Sequence, residues 1–362
     1  MAMPPDLGAA SVWVLLGARH GDNQQLLAIA DALGVPYRTV PLRFNAAAGL
    51  PPVLLGASRL SWRGKDAAAL QPPWPRVVLA AGRKSVPAVR WIRQRSGGRT
   101  QLVHINRPWA PLSWFDLVVT TPQYAVPERA NVLSHRMPFM PPPAPIDVPL
   151  PMAWQAQAAR LPRPWTLVMV GGDSRPFVLD DQAAIGLARL VNAQVRVQGG
   201  SAWVLGSPRT PASAMEVLAR ALDVPAHVVR WGEGENPYAA LRQRADRLVV
   251  TTDSASMLTE ALLTGRPVVP FALLRQPDWR WRLATAWRAA AARRPGSMVA
   301  RSFDALQDLG LLSSLRDLGL LHRALEAAGA FDGSGRVLEL SRQERDATLA
   351  RIHALIDRPR SA

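Results

Sequence analysis

The run Asp253-Ser-Ala-Ser-Met-Leu-Thr-Glu260 offers the most chemistry in this 362-residue chain. An aliphatic strand signal, Leu248–Val250, precedes it, and Met257, Ala261 and Leu262 follow at helical spacing. Gly265 ends the helical segment and Val268–Val269 begin another strand. A helix that starts at the carboxyl end of a parallel strand points free N–H groups and the positive end of its dipole at one spot, which suits an anion. Asp253, Ser254 and Ser256 stand at that spot. Glu260 lies within two turns of it, where a carboxylate accepts hydrogen bonds from a ribose diol. Phosphate in the loop and sugar on the glutamate describe a nucleotide pocket. The same residues also make an ordinary capped βαβ unit that binds nothing, and this stretch alone leaves both readings open.

Three further strand ends in the same half carry similar residues. Gly171-Gly172, with Ser174, lets a backbone approach a ligand closely. Ser207, Arg209 and Thr210 place hydroxyls and a guanidinium after a strand, as a pyrophosphate site requires. Asn236-Pro-Tyr238 begins a helix at the same edge. Each signal is weak alone; their fall on one edge is what counts.

In the first half, Gly17-Ala-Arg-His-Gly-Asp-Asn-Gln-Gln25 follows the first strand. Asp22 or His20 is placed to act as general base on an acceptor hydroxyl, and Asn23 and Gln24 to hydrogen-bond a sugar. Asp22 serves equally as a helix N-cap. Arg83 and Lys84, after Gly82, put two cations beside a helix start and suit a phosphate or carboxylate, with Arg107 able to join them; ordinary surface arginine is the competing reading. Arg275 to Arg301 holds seven arginines, Trp279, Trp281 and Trp287, and one acid, Asp278. Such a helix suits an anionic membrane surface. The plainer reading, which is favoured, has the tryptophans covering a core and the arginines solvated.

Other chemistries lack their residues. The chain has no cysteine, and its six histidines have no metal-ligand spacing, so neither disulfides nor a zinc site is expected. There is no DxD, GxxxxGK[ST], GxSxG or GxGxxG. A leaving diphosphate would then be stabilised by helix dipoles and arginine. The net charge of +16 favours an anionic partner, but only Lys65 and Lys84 are lysines. An arginine bias of that kind also arises from a GC-rich genome. No nucleic-acid motif accompanies it, and none is expected as a partner. No apolar run approaches the roughly 18 residues of a membrane helix, and no basic n-region marks a signal peptide. A cytoplasmic protein is expected, with peripheral attachment at the inner face of the cytoplasmic membrane in view.

The elements that must position these residues alternate. Strand signals at Val12–Leu16, Pro36–Leu42, Val77–Ala80, Gln101–Ile105 and Leu117–Thr120 interleave with helices at Asn23–Leu33 and before Arg95. Met137–Pro164 is crowded with proline and reads as a semi-rigid linker with one helical turn near Trp154–Arg160. The alternation restarts at Thr166–Val170 and runs through Asp180–Ala193, Ala202–Leu205, Ala212–Leu222, Val228–Trp231 and Pro237–Arg244. Helical patterns follow residue 275, the last from Val337 to Ile356. The expected architecture is α/β, with two doubly wound Rossmann-like domains facing a central cleft. The boundaries are 1–137 for an acceptor-side domain, 138–164 for the linker, 165–335 for a nucleotide-sugar domain, and 336–362 for a final helix packing back across the hinge.

Gly21-Asp22-Asn23-Gln24, Ala81-Gly82-Arg83, Pro108 with Phe115-Asp-Leu-Val-Val-Thr-Thr-Pro-Gln-Tyr124, Gly171-Gly172, Arg209-Thr210-Pro211, Asn236-Pro-Tyr238 and Asp253-Ser-Ala-Ser-Met257 with Glu260 and Thr264-Gly265-Arg-Pro267 form a set. Over roughly residues 11–330 that set resembles the bacterial branch of the mitochondrial-fission elongated-mitochondria family. The resemblance implies a GT-B glycosyltransferase-like fold. Some bacterial members carry a nucleotide-sugar epimerase label, and plant members are linked to recruiting a dynamin-like fission protein. By the same resemblance Glu260 holds ribose, while Ser254, Ser256, Ser207 and Arg209 hold diphosphate. The wider donor set is Gly171, Gly172, Ser174, Thr210, Asn236, Asp253 and Met257. The first domain presents an anionic or lipid-linked acceptor, with Asp22 as base. Val204-Leu-Gly-Ser207 departs from the Thr/Ser-rich strand end expected there. The function in view is metal-independent transfer from a nucleotide sugar to a cell-envelope or polysaccharide acceptor. No cofactor is required, the nucleotide sugar being a substrate. An epimerase on the same fold and a non-catalytic membrane-associated scaffold are the alternatives.

Overall fold

A computed structural model describes residues 11–63, 70–141, 148–174, 176–312, 316–331, 333 and 335–359. Lys65 and the linker prolines 142, 143 and 145 lie outside them. The chain forms two compact units. One comprises Met1–Pro141, Arg282–Leu320 and Arg342–Ala362; the other comprises Pro142–Trp281 and Leu321–Ser341.

The first unit holds a six-stranded parallel sheet made of β1 (Val12–Leu16), β2 (Tyr37–Pro41), β3 (Val77–Ala81), β4 (Gln101–Ile105), β5 (Leu117–Thr120) and β6 (Val132–Ser134), in the order β2-β1-β3-β4-β5-β6. Its central strands are largely apolar, with His104 the polar residue inside β4, because both faces are covered. On one face Val12, Val14, Val77 and Leu79 meet Leu26 and Ile29 of the helix His20–Ala32, and Ile352, Leu355 and Ile356 of the helix Arg336–Ile356. On the other, Trp13 and Val78 meet Val86, Val89 and Ile92 of the helix Val86–Arg95, with Trp74 and Trp91 packed alongside. The middle of the last helix is fastened by polar contacts as well. Glu344 accepts a hydrogen bond from the Arg136 N–H at 2.7 Å, and buried Thr348 meets His135 Nε2 at 3.0 Å.

The second unit holds β7 (Trp165–Val170), β9 (Ser201–Gly206), β10 (Ala226–Val229), β11 (Arg247–Thr251) and β12 (Val268–Phe271), all parallel, in the order β10-β9-β7-β11-β12. A short antiparallel ladder joins β8 (Phe177–Val178) to β13 (Leu274–Arg275). Asp180 caps the helix Asp181–Gln198 by accepting from the Ala183 N–H at 2.9 Å. The expected strands and helices stand within a few residues of their sequence positions. The exceptions include β6, the β8–β13 ladder and the helix Pro52–Leu55, which are too short to show a hydrophobic period.

The assignment of 165–335 to one domain needs correction, since Arg282–Leu320 packs with the first unit. Phe303, from the helix Met298–Asp308, is buried against Trp109 and Tyr124, and the Trp287 and Phe303 rings pack edge-on with centroids 6.0 Å apart. That apolar match outweighs sequence adjacency. It also half-buries Trp287 against a core, as the plainer reading of the arginine-rich segment has it, whereas Trp279 of the same segment stays exposed.

In both sheets the strand order reverses direction once, between β1 and β3 in the first and between β7 and β11 in the second. Loops that leave the carboxyl ends of such neighbouring strands diverge to opposite faces and open a crevice, which is where doubly wound sheets bind ligands.

Ile352→Ala is expected to lower stability by about 2–5 kcal/mol in urea unfolding, since Ile352 is fully buried in the first core. Stability is also expected to depend on pH through His135. Burial holds its folded pKa at about 4, below the ordinary 6.5. The unfolded chain therefore takes up the proton first as pH falls below 6.5. Stability is full above that value and declines towards pH 4, by roughly 3 kcal/mol for this group. His135→Asn should flatten that part of the melting-temperature profile.

Candidate functional site

The crevice of the second unit is built around Asp253. Its carboxylate is fully buried and pairs with Arg209 at 3.0 Å. It also accepts from the Gly172 N–H at 3.1 Å and the Thr251 hydroxyl at 2.7 Å. Thr251 in turn accepts from the Gly171 N–H at 2.7 Å. One carboxylate thus joins the loops that leave β7, β9 and β11. The loop after β9 is closed on itself by Thr210, which accepts from the Ser207 N–H at 2.7 Å and lies 3.0 Å from the Ser207 hydroxyl. The Thr210 hydroxyl also meets the Val170 carbonyl at 3.0 Å and that of Gly171.

This arrangement corrects two readings of the sequence. Gly171 and Gly172 are small because protein fills the space beside them. A Cβ on Gly171 would lie 2.0 Å from the Asp253 carboxylate, and one on Gly172 would lie 1.9 Å from the Arg209 carbonyl oxygen. Arg209 spends its charge on Asp253, so the pair presents no net charge to a ligand.

The free backbone donors at this crevice belong to the helix Ala255–Leu262 itself. Ser254 is its N-cap, extended at φ −130°, and accepts from the Met257 N–H at 3.4 Å. Asp253 is not the cap. The N–H groups of Ala255 and Ser256 have no intrahelical acceptor and stand at the positive end of the dipole. Ser256 and Met257 are half-buried on the first turn. Glu260 is held by two donors on one oxygen, Oε2: the Tyr238 hydroxyl at 2.5 Å and Arg242 Nη1 at 2.6 Å. Burial and the Glu260 charge push the Tyr238 phenol well above its ordinary range, so it stays a proton donor. Asn236 is exposed and accepts from the Tyr238 N–H at 3.0 Å, starting that helix. Ser174 forms a backbone bridge with Phe177.

The first unit's crevice lies between β1 and β3. Asp22 sits in the first turn of His20–Ala32, whose N-cap is Arg19, so Asp22 is no cap. Its Oδ1 accepts from Asn106 Nδ2 at 3.2 Å, and its Oδ2 lies 3.8 Å from where a Gly82 Cβ would stand. Burial raises the Asp22 pKa, against the lowering effect of Arg19, Arg316 and the Asn106 hydrogen bond. Asn106 holds a left-handed backbone at φ 67° after β4. A non-glycine residue there carries strain, which the surrounding bonds must offset. His104 is fully buried and faces two carbonyls, Asn106 at 2.9 Å and Gly82 at 3.4 Å. Burial pushes its pKa down to about 4, so the neutral ring donates to only one of them. Tyr124 is buried beside this cluster and takes a hydrogen bond from Arg316.

Several expected ligands are occupied elsewhere. The Asn23 amide is bonded at both ends to the Gly17 backbone, at 2.9 Å each, which fixes the loop and leaves little for a sugar. Arg107 does not join Arg83 and Lys84. It is buried, donates to the carbonyls of Tyr124 at 3.3 Å and Ala125 at 3.0 Å, and lies 3.9 Å from Asp308. Burial lowers its pKa to about 10. Arg83 reaches the Gly49 carbonyl at 3.1 Å, and exposed Lys84 stands over the Phe44 ring. His20 is exposed at the first position of its helix, and Gln24 is half-buried one turn on. The residues to which sequence reasoning gave no site role are Asn106, His104, Tyr124 and Arg316 in the first unit, and Thr251, Tyr238 and Arg242 in the second. Ile105-Asn-Arg-Pro108 held the signal for Asn106, whose side chain tolerates the left-handed turn better than Arg107 would.

Gly172→Ala is expected to cost roughly 1–3 kcal/mol, because its Cβ overpacks the Arg209 carbonyl. Hydrogen exchange should quicken at Ser207–Thr210, and unchanged exchange there would contradict the packing described.

Mitochondrial fission protein ELM1 of Arabidopsis thaliana is 27% identical over 259 residues, covering 65% of this chain and 58% of that protein. The chain therefore spans less than two thirds of that relative's length. RP120, an uncharacterized protein of Rickettsia prowazekii (strain Madrid E), is 23% identical over 297 residues, covering 72% of this chain and 83% of its own. Among solved structures, trehalose-6-phosphate from E. coli bound with UDP-2-fluoro glucose aligns with a TM-score of 0.50 at 11% identity, over 97% of this chain and all of its own. That likeness is one of fold, and the fold class is α/β and GT-B-like. The model of the mitochondrial fission ELM1 family matches residues 20–307, and the chain belongs to that family.

Proposed function

We propose that the chain is a glycosyltransferase that uses a nucleotide sugar without a metal ion. The observation that carries this reading is the Asp253-anchored crevice, which brings a capped helix N-terminus and Glu260 to the switch point of a doubly wound sheet. The diphosphate binds the free N–H groups at Ala255 and Ser256, with Ser254 and Ser256 adding hydroxyls. The ribose binds Glu260, whose Oε2 is fixed by Tyr238 and Arg242. Helix dipole and N–H groups stabilise the charge that develops on the leaving diphosphate.

Asp22 is the base. It takes the proton from an acceptor hydroxyl as that oxygen attacks the anomeric carbon, and the bond from that carbon to the diphosphate breaks with its electron pair going to the diphosphate. Asp22 must be ionised to do this. Its raised pKa moves the acid limb of the rate profile upward from that of an ordinary aspartate, with activity rising as pH rises through it. A lipid-linked acceptor is favoured by Trp279 and Leu283, which are 69% and 61% exposed on one helix among Arg280 and Arg282.

The test is calorimetry of the full chain with nucleoside diphosphates in EDTA, beginning with UDP. At least one is expected to bind. Glu260→Ala should weaken it by about tenfold or more, near 1.4 kcal/mol. Asp22→Asn should bind it unchanged yet lose turnover of the matching nucleotide sugar. Absence of nucleotide binding would defeat the proposal in favour of a non-catalytic scaffold. Conversion of the nucleotide sugar with no acceptor present would replace transfer by epimerisation.

A further inference from the structure

A cavity of about 430 Å³ lies on the first unit, lined by Trp74, Arg76, Arg99, Gln101, Leu355 and Arg358 among others. Arg76 precedes β3 and Gln101 opens β4, whereas Gly82 and Asn106 follow those same strands. The cavity is therefore at the amino-terminal edge of the sheet and the Asp22 cluster at the carboxyl edge. Five-residue strands separate the two by about 15 Å.

The charge in this cavity is one-sided. Arg76 Nη1 donates to the carbonyls of Ile356 and Arg358, at 3.1 Å each. Arg99 Nε donates to the Ser96 carbonyl at 2.9 Å, and Arg358 Nη1 to Gln101 Oε1 at 3.3 Å. Every one of these acceptors is neutral. Among the described residues no carboxylate lines the cavity, and no ion pair joins Arg76, Arg99 or Arg358 to one. Elsewhere in the chain Arg93, Arg163, Arg196, Arg209, Arg242 and Arg288 each have a carboxylate partner. Arg99 and Arg358 are exposed and Arg76 is half-buried, so their unused donors are open to an anion from solvent. Each guanidinium has five N–H donors, and the bonds above use only part of them. The remainder are suited to phosphate oxygens, which guanidinium binds in a bidentate fork. The wall is firm, because Trp74 packs against Trp13 at 5.8 Å and Trp91 at 5.9 Å. The volume suits a small phosphorylated molecule.

We propose that this cavity binds a phosphoryl group, carried by a small soluble molecule or by a lipid headgroup. A bound phosphate bridges Arg76, Arg99 and Arg358. It thereby ties the residues after the helix Arg336–Ile356 to the starts of β3 and β4. The site exists only in the folded chain, so its ligand stabilises the first unit by mass action. The inference stands apart from the proposed glycosyl transfer, because it uses no residue of either crevice.

The test is hydrogen exchange of the full chain with sodium pyrophosphate, comparing wild type with the double variant Arg99→Gln, Arg358→Gln. Arg76 is left intact because it holds the helix end. Protection is expected at residues 72–76, 96–101 and 352–359. The double variant should keep its fold, show no such protection, and bind pyrophosphate at this site at least about tenfold more weakly. It should bind nucleoside diphosphate as wild type does, which separates this site from the donor crevice. Protection that is absent from these segments, or unchanged in the double variant, overturns the proposal. Two further arms identify the source. Protection by free glycerol 3-phosphate assigns a soluble ligand. Protection only by vesicles containing phosphatidic acid assigns a lipid headgroup.

Discussion

The buried carboxylate of Asp253 is the constraint on which the second unit's crevice depends. A charge removed from water is tolerated only when donors surround it. Here the donors come from the loops after β7 and β9, together with Thr251 at the end of β11. Satisfying one side chain therefore fixes three loops at once. The two glycines follow from the same requirement, since any side chain at Gly171 or Gly172 would occupy the space of the carboxylate or of the Arg209 carbonyl. Arg209 neutralises Asp253, so the acid next to this helix N-terminus adds no net negative charge there. The helix dipole and the first N–H groups are left to act on the ligand.

The first unit solves a similar problem by different means. Its polar cluster also lies at the reversal of strand order, but Asp22 is only partly neutralised. Burial outweighs Arg19 and Arg316, and the carboxyl keeps a raised pKa. That carboxyl is held by Asn106, itself in a left-handed turn, whereas Asp253 is held by donors from three loops. The two acids are alike in sequence setting, each just after a strand and at a helix start. Their partners separate their roles.

The α/β alternation was legible because parallel strands buried on both faces must be aliphatic, as Val77–Ala80 and Leu248–Val250 are. The loops that carry chemistry were legible for a related reason: Gly, Ser, Asn and Asp cluster where strands end. What each residue does there was not. Asn23, Arg107 and Arg209 have the composition of ligands, yet their hydrogen bonds go to protein. The roles of Tyr238 and Arg242 depend on contacts with Glu260 across a turn of chain that no local pattern encodes. Arg316 reaches Asp22 and Tyr124 only because Arg282–Leu320 packs on the first unit, a long-range apolar preference of Phe303 and Trp287. Local spacing gave the stage for these residues and tertiary packing gave the parts.

The most direct measurement is a crystal structure of the chain with the nucleoside diphosphate that binds it most tightly in EDTA. The account predicts phosphate oxygens within hydrogen-bond distance of the Ala255 and Ser256 N–H groups, ribose hydroxyls on Glu260, and the Arg209–Asp253 pair intact. Phosphates seated on Arg209 with that pair broken, or a nucleotide bound away from the helix Ala255–Leu262, would contradict it.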